Sequence, residues 1–430
     1  MKRAELEVKQ YPFLPQGLYK AKLSNGLTVH LLPKEDYHET YGVLTVSFGS
    51  LDQTFKLEGQ KEFVTYPAGI AHFLEHKLFE TADGMDILQE FSKLGANANA
   101  YTGFSQTSYL FSTAEEVLPA LELLQNFVGQ TAFTEESVEK EKDIIAQEIE
   151  MYEDDPDSRL YNEILASLYP DSPLENDIAG SQVSIQDITV QFLEENFQAF
   201  YQPSQMHLFL VGSFDVEAVW QQIQELQAKK ESSNLLVQGL PLPHHPVKSH
   251  GSIQMEVASP KLAIGIRGSD QLTEESIHRY RLSLSLFFSM LFGRMSSRYQ
   301  RLYEEGKIDT SFSYHLEVKP DCHFFVMTMD TKEPIALSSR LRKAIRKFET
   351  DPDLTEDHLE MLKKKTYGDF IRSLNSLEFT ASHFVQHLSD QENIFDLPEM
   401  LKTIDLVEVL EAGRQFLSNC DMTDFIIFPK

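Results

Sequence analysis

The chain runs through one order of elements twice, and a proline-containing stretch separates the two passes. The first pass opens with strand-like alternation in KAKLSNGLTVHLLPK, where Asn25-Gly26 marks a tight hairpin turn. The apolar run YGVLTVSFGS follows, then helical periods in AGIAHFLEHKLFE and GMDILQEFSKLG, then paired strands in NANAYTGFSQTSYLFST. Helical periods return over 114–130 and 135–153. The pass closes with the buried strand QMHLFLVGSFD and the helix DVEAVWQQIQELQAKKE. In SSNLLVQGLPLPHHPVKSHG, residues 232–251, three prolines and clusters of polar residues can continue neither a helix nor a central strand. The second pass then gives strand-like SIQMEVASPKLAIGIRGS, the helices YRLSLSLFFSMLFG and SSRYQRLYEEG, and paired strands in TSFSYHLEVKPDCHFFVMTMD. Long helices over 332–349 and 355–375 and a late strand, FIIFP, complete it. Two such passes predict a duplicated α+β fold, with domains over 1–231 and 252–430 and a linker over 232–251.

Composition narrows the function. Apolar residues make up 42% of 430, enough for two real cores. Lysine and arginine number 38 against 66 acids, a net charge of −28. That balance opposes nucleic acids, whose phosphates need a basic surface, and it opposes anionic membranes. No stretch approaches the ~18 apolar residues of a membrane span, and MKRAELEVKQYPFLPQG contains no apolar core of a secretory signal. Cys322 and Cys420 lie far apart and form no C-x-x-C pattern, which suits a reducing cytoplasm.

The sharpest chemical signal is AGIAHFLEHKLFE. On a helix, residues four apart lie about 40° apart around the axis, so His72 and His76 can face one ion with Glu75 beside it. This is the inverted zincin arrangement, H-x-x-E-H. A catalytic zinc takes a third protein ligand and keeps a position for water. Spacing alone is not decisive: His383 and His387 in SHFVQHLSD share it, but Gln386 stands where the base would be, and an amide is no base. The acidic helix TEESVEKEKDIIAQEIEMYEDDPD, residues 134–157, offers further carboxylates. Thr134 suits its N-cap, and Glu141 and Glu148, seven apart, share a face. Ile144, Ile145 and Ile149 mark its buried side, while Glu135, Glu136, Glu139 and Glu153 read as a solvated face.

H-F-L-E-H followed by E-x6-E resembles the pitrilysin/insulinase family of zinc peptidases, and IAHFLEHKLFE resembles its bacterial YmfH-like branch. GANANAYTGFSQTSYLF is similar to that family's active-site edge strand, FYQPSQMHLFLVGSFD to its closing strand, and GRMSSRYQ to a small-residue turn of its second domain, so the resemblance spans nearly the whole chain. It implies two homologous domains, each a mixed, mostly antiparallel sheet with helices on one face. It implies one zinc per chain held by His72, His76 and Glu148, with Glu75 as general base and Glu141 behind the ligands. Asn99, Ala100, Tyr101 and Thr102 would receive a peptide as an added strand. One departure stands out. The family places an arginine and a tyrosine seven apart in its second domain, to hold the substrate and its developing oxyanion. In RLYEEGKIDTSFSY those places fall to Tyr303 and Thr310, and the nearest candidates are Arg301 and Tyr314. The resemblance therefore implies the zinc-bearing subunit of a two-subunit chamber that hydrolyses short or unfolded peptides. The expected partner is a paralogue without the zinc motif that supplies the clamp, with a homodimer as alternative. The alternative function is a non-catalytic assembly or peptide-binding subunit of the same fold.

Overall fold

A computed structural model describes residues 5–81, 86–230, 235–269, 272, 277–320, 322–386 and 392–430. The chain forms two compact units. One comprises residues 1–149, 177–240 and 373–386; the other comprises 150–176, 241–372 and 387–430.

The first unit is built on strands β1 (Glu7–Lys9), β2 (Leu18–Lys22), β3 (Thr28–Pro33), β4 (Thr40–Val46), β5 (Thr54–Leu57), β6 (Val64–Thr65), β7 (Ala96–Thr102), β8 (Thr107–Thr113), β9 (Met206–Gly212) and β10 (Val237–Gly239). Seven of them form one sheet in the order β1-β2-β3-β9-β4-β8-β7; β10, β5 and β6 form a small second sheet. Strands β4 and β9, TYGVLTV and MHLFLVG, are buried at every position, as expected of central strands covered on both faces. The turn between β2 and β3 places Gly26 at φ 96°, the left-handed conformation that the Asn-Gly pair favours.

The second unit carries strands β11 (Gly251–Met255), β12 (Lys261–Arg267), β13 (Ser313–Val318), β14 (His323–Asp330) and β15 (Asp421–Pro429), ordered β11-β15-β12-β14-β13. This repeats β3-β9-β4-β8-β7 strand for strand. In both sheets the first pair is parallel and the other three are antiparallel. The last strand of each half is inserted between two earlier ones. The duplication is thus real at the level of topology.

In chain order the helices are α1 (Ile70–Leu78), α2 (Ile87–Lys93), α3 (Val117–Phe127), α4 (Glu135–Asp154), α5 (Pro156–Leu168), α6 (Val190–Phe200), α7 (Val216–Gln227), α8 (Ile277–Phe292), α9 (Ser297–Glu304), α10 (Pro334–Arg346), α11 (Glu356–Ser373), α12 (Leu377–Gln386), α13 (Leu397–Thr403) and α14 (Leu406–Leu417). In the first unit Val29, Leu31, Leu44, Val46, Leu208 and Leu210 point into a core shared with α1 to α4, α6 and α7. The alternate residues point the other way, as the two-residue period of a strand requires. There α12 covers them: Phe384 stacks on Phe209 with centroids 4.2 Å apart and also meets His30 and His207. The second unit shows the counterpart. Helix α5 lies on the second sheet, and Gly265 of β12 makes room for it, since a Cβ there would come within 2.7 Å of Leu168.

Each half of the sequence thus gives one helix to the other half's sheet. The layer of helices expected on one face is present, and the exchanged helix covers the second face. The compact units differ from the divisions at 231 and 252 at these two segments, because an apolar helical period does not reveal which sheet the helix will cover. The linker differs too. Its residues 232–234 lie outside the described residues, and Val237–Gly239 forms β10, an antiparallel edge strand on β5.

Candidate metal centre

Helix α1 enters through a glycine at which any side chain would be strained. Gly69 has φ 90°, and a Cβ there would lie 2.3 Å from the Ala179 carbonyl oxygen. Ser184 Oγ fixes the same turn by donating to the Ala68 carbonyl at 2.8 Å. From that anchored start α1 buries Ile70, Ala71, Phe73, Leu74 and Leu78. His72, Glu75 and His76 line the adjoining stripe. Helix α4 begins where Thr134 Oγ1 accepts from the Ser137 amide at 3.1 Å and buries Val138, Ile145 and Ile149. Ile144, expected on that buried side, is exposed instead: it lies one residue, about 100°, from Ile145.

The two helices bring Glu148 between the two imidazoles. Its Oε1 lies 3.7 Å from His72 Nε2 and its Oε2 lies 3.5 Å from His76 Nε2. One ligand atom from each of the three residues falls within 4.8 Å of the others. Ligands about 2.0–2.1 Å from a tetrahedral ion stand roughly 3.3 Å from each other, so these separations fit a zinc ion. Glu141 lies behind, its Oε1 accepting from His76 Nδ1 at 3.0 Å. With the proton on Nδ1, Nε2 turns a lone pair toward the carboxylate of Glu148. Acceptors facing acceptors at this range call for a cation between them.

Without an ion the two rings are affected in opposite directions. Burial, reinforced by the charge of His76, pulls the His72 pKa down to about 3. Burial also works against protonated His76, yet the Glu141 hydrogen bond and the charges of Glu75, Glu141 and Glu148 outweigh it and hold that ring above its ordinary value. Burial pushes Glu141 up, but its bond to His76 and the charges of His76 and Lys77 keep it below the usual carboxylate range. Glu75 is 7% exposed. Burial, with help from the Glu148 charge, raises it to about 7 against the opposing effects of Thr102 and His76.

Strand β7 borders the site and is the last strand of its sheet, so one backbone edge has no neighbouring strand among the described residues. Asn99, Ala100, Tyr101 and Thr102 all lie on it. Asn99 is exposed, and its Oδ1 accepts from the Ala100 amide at 2.9 Å. Ala100 and Tyr101 are half-buried. Thr102, read from the sequence as a peptide contact, donates its hydroxyl to Glu75 Oε2 at 2.5 Å. Sequence reading also passed over Lys77, whose side chain is 1% exposed and reaches Glu80. The signal was a lysine in a short helix whose neighbours at 73, 74 and 78 are all apolar. His383 lies on α12, where burial lowers its pKa; His387 lies outside the described residues. Arg301 is exposed on α9, and the Tyr314 hydroxyl lies 3.0 Å from Ser289 Oγ.

Residues 61–182 match the pattern of Insulinase (Peptidase family M16), and residues 187–366 match the Peptidase M16 inactive domain. The uncharacterized zinc protease YmfH of Bacillus subtilis is 38% identical over 426 residues, 98% of this chain and 99% of that protein. An uncharacterized zinc protease of Rickettsia bellii is 29% identical over 430 residues, 95% of this chain and 97% of its own. An M16-like chain from Alicyclobacillus acidocaldarius, of known crystal structure, superposes with a TM-score of 0.91 at 31% identity, covering 97% of this chain and 99% of its own. A protease from Helicobacter pylori shares the fold, with a TM-score of 0.80 at 20% identity over 96% of this chain and 99% of its own. A domain bearing H-x-x-E-H, followed by a repeat of the same topology without it, places the chain in the insulinase family, peptidase family M16.

Proposed function

We propose that the chain is a zinc-dependent metalloendopeptidase subunit acting on short or unfolded peptides. The observation that carries this reading is the meeting of His72, His76 and Glu148 on one ion-sized gap, with the Glu75 carboxylate beside it. A zinc ion bound there supplies a Lewis acid and lowers the pKa of water. The protein supplies the rest. The free edge of β7 pairs with an extended peptide through main-chain hydrogen bonds, which tolerate many sequences. Thr102 holds Glu75 Oε2 and leaves Oε1 to accept a proton from the attacking water. A carboxylate beside the bound water can take that proton and then return it to the departing amine. Glu141 keeps His76 in the tautomer and orientation that a metal ligand needs.

The test is Glu75→Gln. The variant should retain zinc and peptide binding and lose 10²–10⁴-fold in turnover, roughly 3–5 kcal/mol of barrier. Zinc-dependent cleavage at close to the wild-type rate would remove Glu75 from the mechanism.

Partner dependence is part of the same reading. It is supported by the departure at the clamp: Tyr303 and Thr310 hold the places of the arginine and tyrosine, and Tyr314 is engaged with Ser289. The proposed assembly is a heterodimer with a paralogue that lacks the zinc motif and brings the clamp.

A further inference from the structure

Lys77 directly follows the second histidine, and its side chain is 1% exposed. A buried ammonium has lost strong hydration and needs partners to remain in place. Lys77 has three. Its Nζ donates to Glu80 Oε2 and to the Ser137 carbonyl at 3.3 Å, and it lies 3.8 Å from Glu141 Oε2. Glu80 is 43% exposed and water can reach it. Glu141 is 15% exposed, and its other oxygen is the one that accepts from His76. One carboxylate is therefore shared: Oε1 faces the imidazole and Oε2 faces the ammonium.

Charge favours this arrangement. Glu75, Glu141 and Glu148 bring three carboxylates to the two rings. A divalent cation offsets two of those charges, and the Lys77 ammonium, which also faces Glu80, lies on the side of Glu141 that stays negative. The buried ammonium also removes the freedom of Glu141 to turn away, because rotation of the carboxylate would separate Oε2 from the only cationic side chain recorded within ion-pair distance of it among the described residues.

We infer that Lys77 is a positioning residue for the metal centre: it pins Glu141 so that Oε1 is presented to His76 Nδ1 and His76 Nε2 faces the ion with its lone pair. This rests on the zinc reading above. The plainer alternative is that Lys77 only ties α1 to α4 through Ser137; it predicts a loss of stability without a specific loss of metal affinity.

The experiment is a double-mutant cycle on the full-length chain. Zinc dissociation constants are measured by chelator competition for wild type, Lys77→Met, Glu141→Gln and the double variant, and folding is followed by circular dichroism. The absorption spectrum of the cobalt-loaded protein reports ligand geometry. Loss of a group that orients a ligating histidine typically costs 10–100-fold in metal affinity. Lys77→Met should therefore weaken zinc binding about tenfold and shift the cobalt spectrum, and in the Glu141→Gln background it should change neither. Lys77→Gln keeps a donor in the same slot, is less disruptive to folding, and should retain more affinity than Lys77→Met. Unchanged affinity in Lys77→Met overturns the inference, as do equal losses in both backgrounds. Tighter binding also overturns it, since the ammonium would then act as an opposing charge. A wild-type chain that binds no zinc overturns the metal-centre reading itself; wild-type affinity in the Lys77 variants with loss in Glu141→Gln overturns the Lys77 inference alone.

Discussion

Acid should destabilise the metal-free protein through two histidines remote from the ligand set. His30 on β3 and His207 on β9 face each other under α12, with Nδ1 of one 2.7 Å from Nε2 of the other. Burial, then the charges of His207 and Lys20, hold the His30 pKa down to about 2. Burial, then Lys20, holds His207 down to about 3. In the unfolded chain both return to about 6.5. Below that value the unfolded state binds more protons than the folded one, so the stability these rings contribute is present above pH 6.5 and is lost as pH falls toward 3. At pH 5 each ring costs ~2 kcal/mol and the pair ~4 kcal/mol, a large part of a usual 5–15 kcal/mol. The assay is denaturant unfolding at pH 8, 6 and 5 with a chelator present, so that zinc release does not contribute. The single tryptophan, Trp220, lies on α7 of the same unit and reports its unfolding. The His30→Leu/His207→Leu variant removes both polar partners together and should lose about 4 kcal/mol less than wild type between pH 8 and pH 5. Equal losses in the two proteins would refute the reasoning, because every other histidine is common to both.

Two further outcomes are expected. Gly69→Ala forces a left-handed alanine, about 1–2 kcal/mol of strain, against the Ala179 carbonyl; it should lower the melting temperature and weaken zinc binding together, and unchanged zinc affinity would show that this turn does not set the ligands. The purified chain alone should cleave peptides poorly and gain activity on mixing with its clamp-bearing partner; robust cleavage by the isolated chain, abolished in Arg301→Ala, would favour a homodimer.

What could be read from the sequence was what depends on local period. The alternation in KAKLSNGLTVHLLPK, the i, i+4 histidines and the i, i+7 glutamates each state which residues share a face, and His72, His76, Glu141 and Glu148 do meet. The clues that failed concern what comes to meet that face. Thr102 is 27 residues from Glu75, and only the packing of α1 against β7 shows that its hydroxyl serves the carboxylate. The apolar neighbours of Lys77 hint at its burial, but its partner on α4, the Ser137 carbonyl, is 60 residues away in the sequence. The destinations of α5 and α12 were hidden for the same reason: an apolar stripe states that a helix will be covered, and Phe384 could as well have met its own half's sheet.

The exchange of helices fixes an order of events during synthesis. The last strand of the first sheet, β9, emerges about 170 residues before α12, which at ~5–20 residues per second is roughly 10–30 s. Throughout that interval α1 and α4 already exist, while His30, His207 and Phe209 wait for Phe384. A chain stopped before residue 377 would keep His72, His76 and Glu148 and leave one face of its sheet bare. Such a fragment presents an apolar surface to its neighbours and is a candidate for aggregation or chaperone capture.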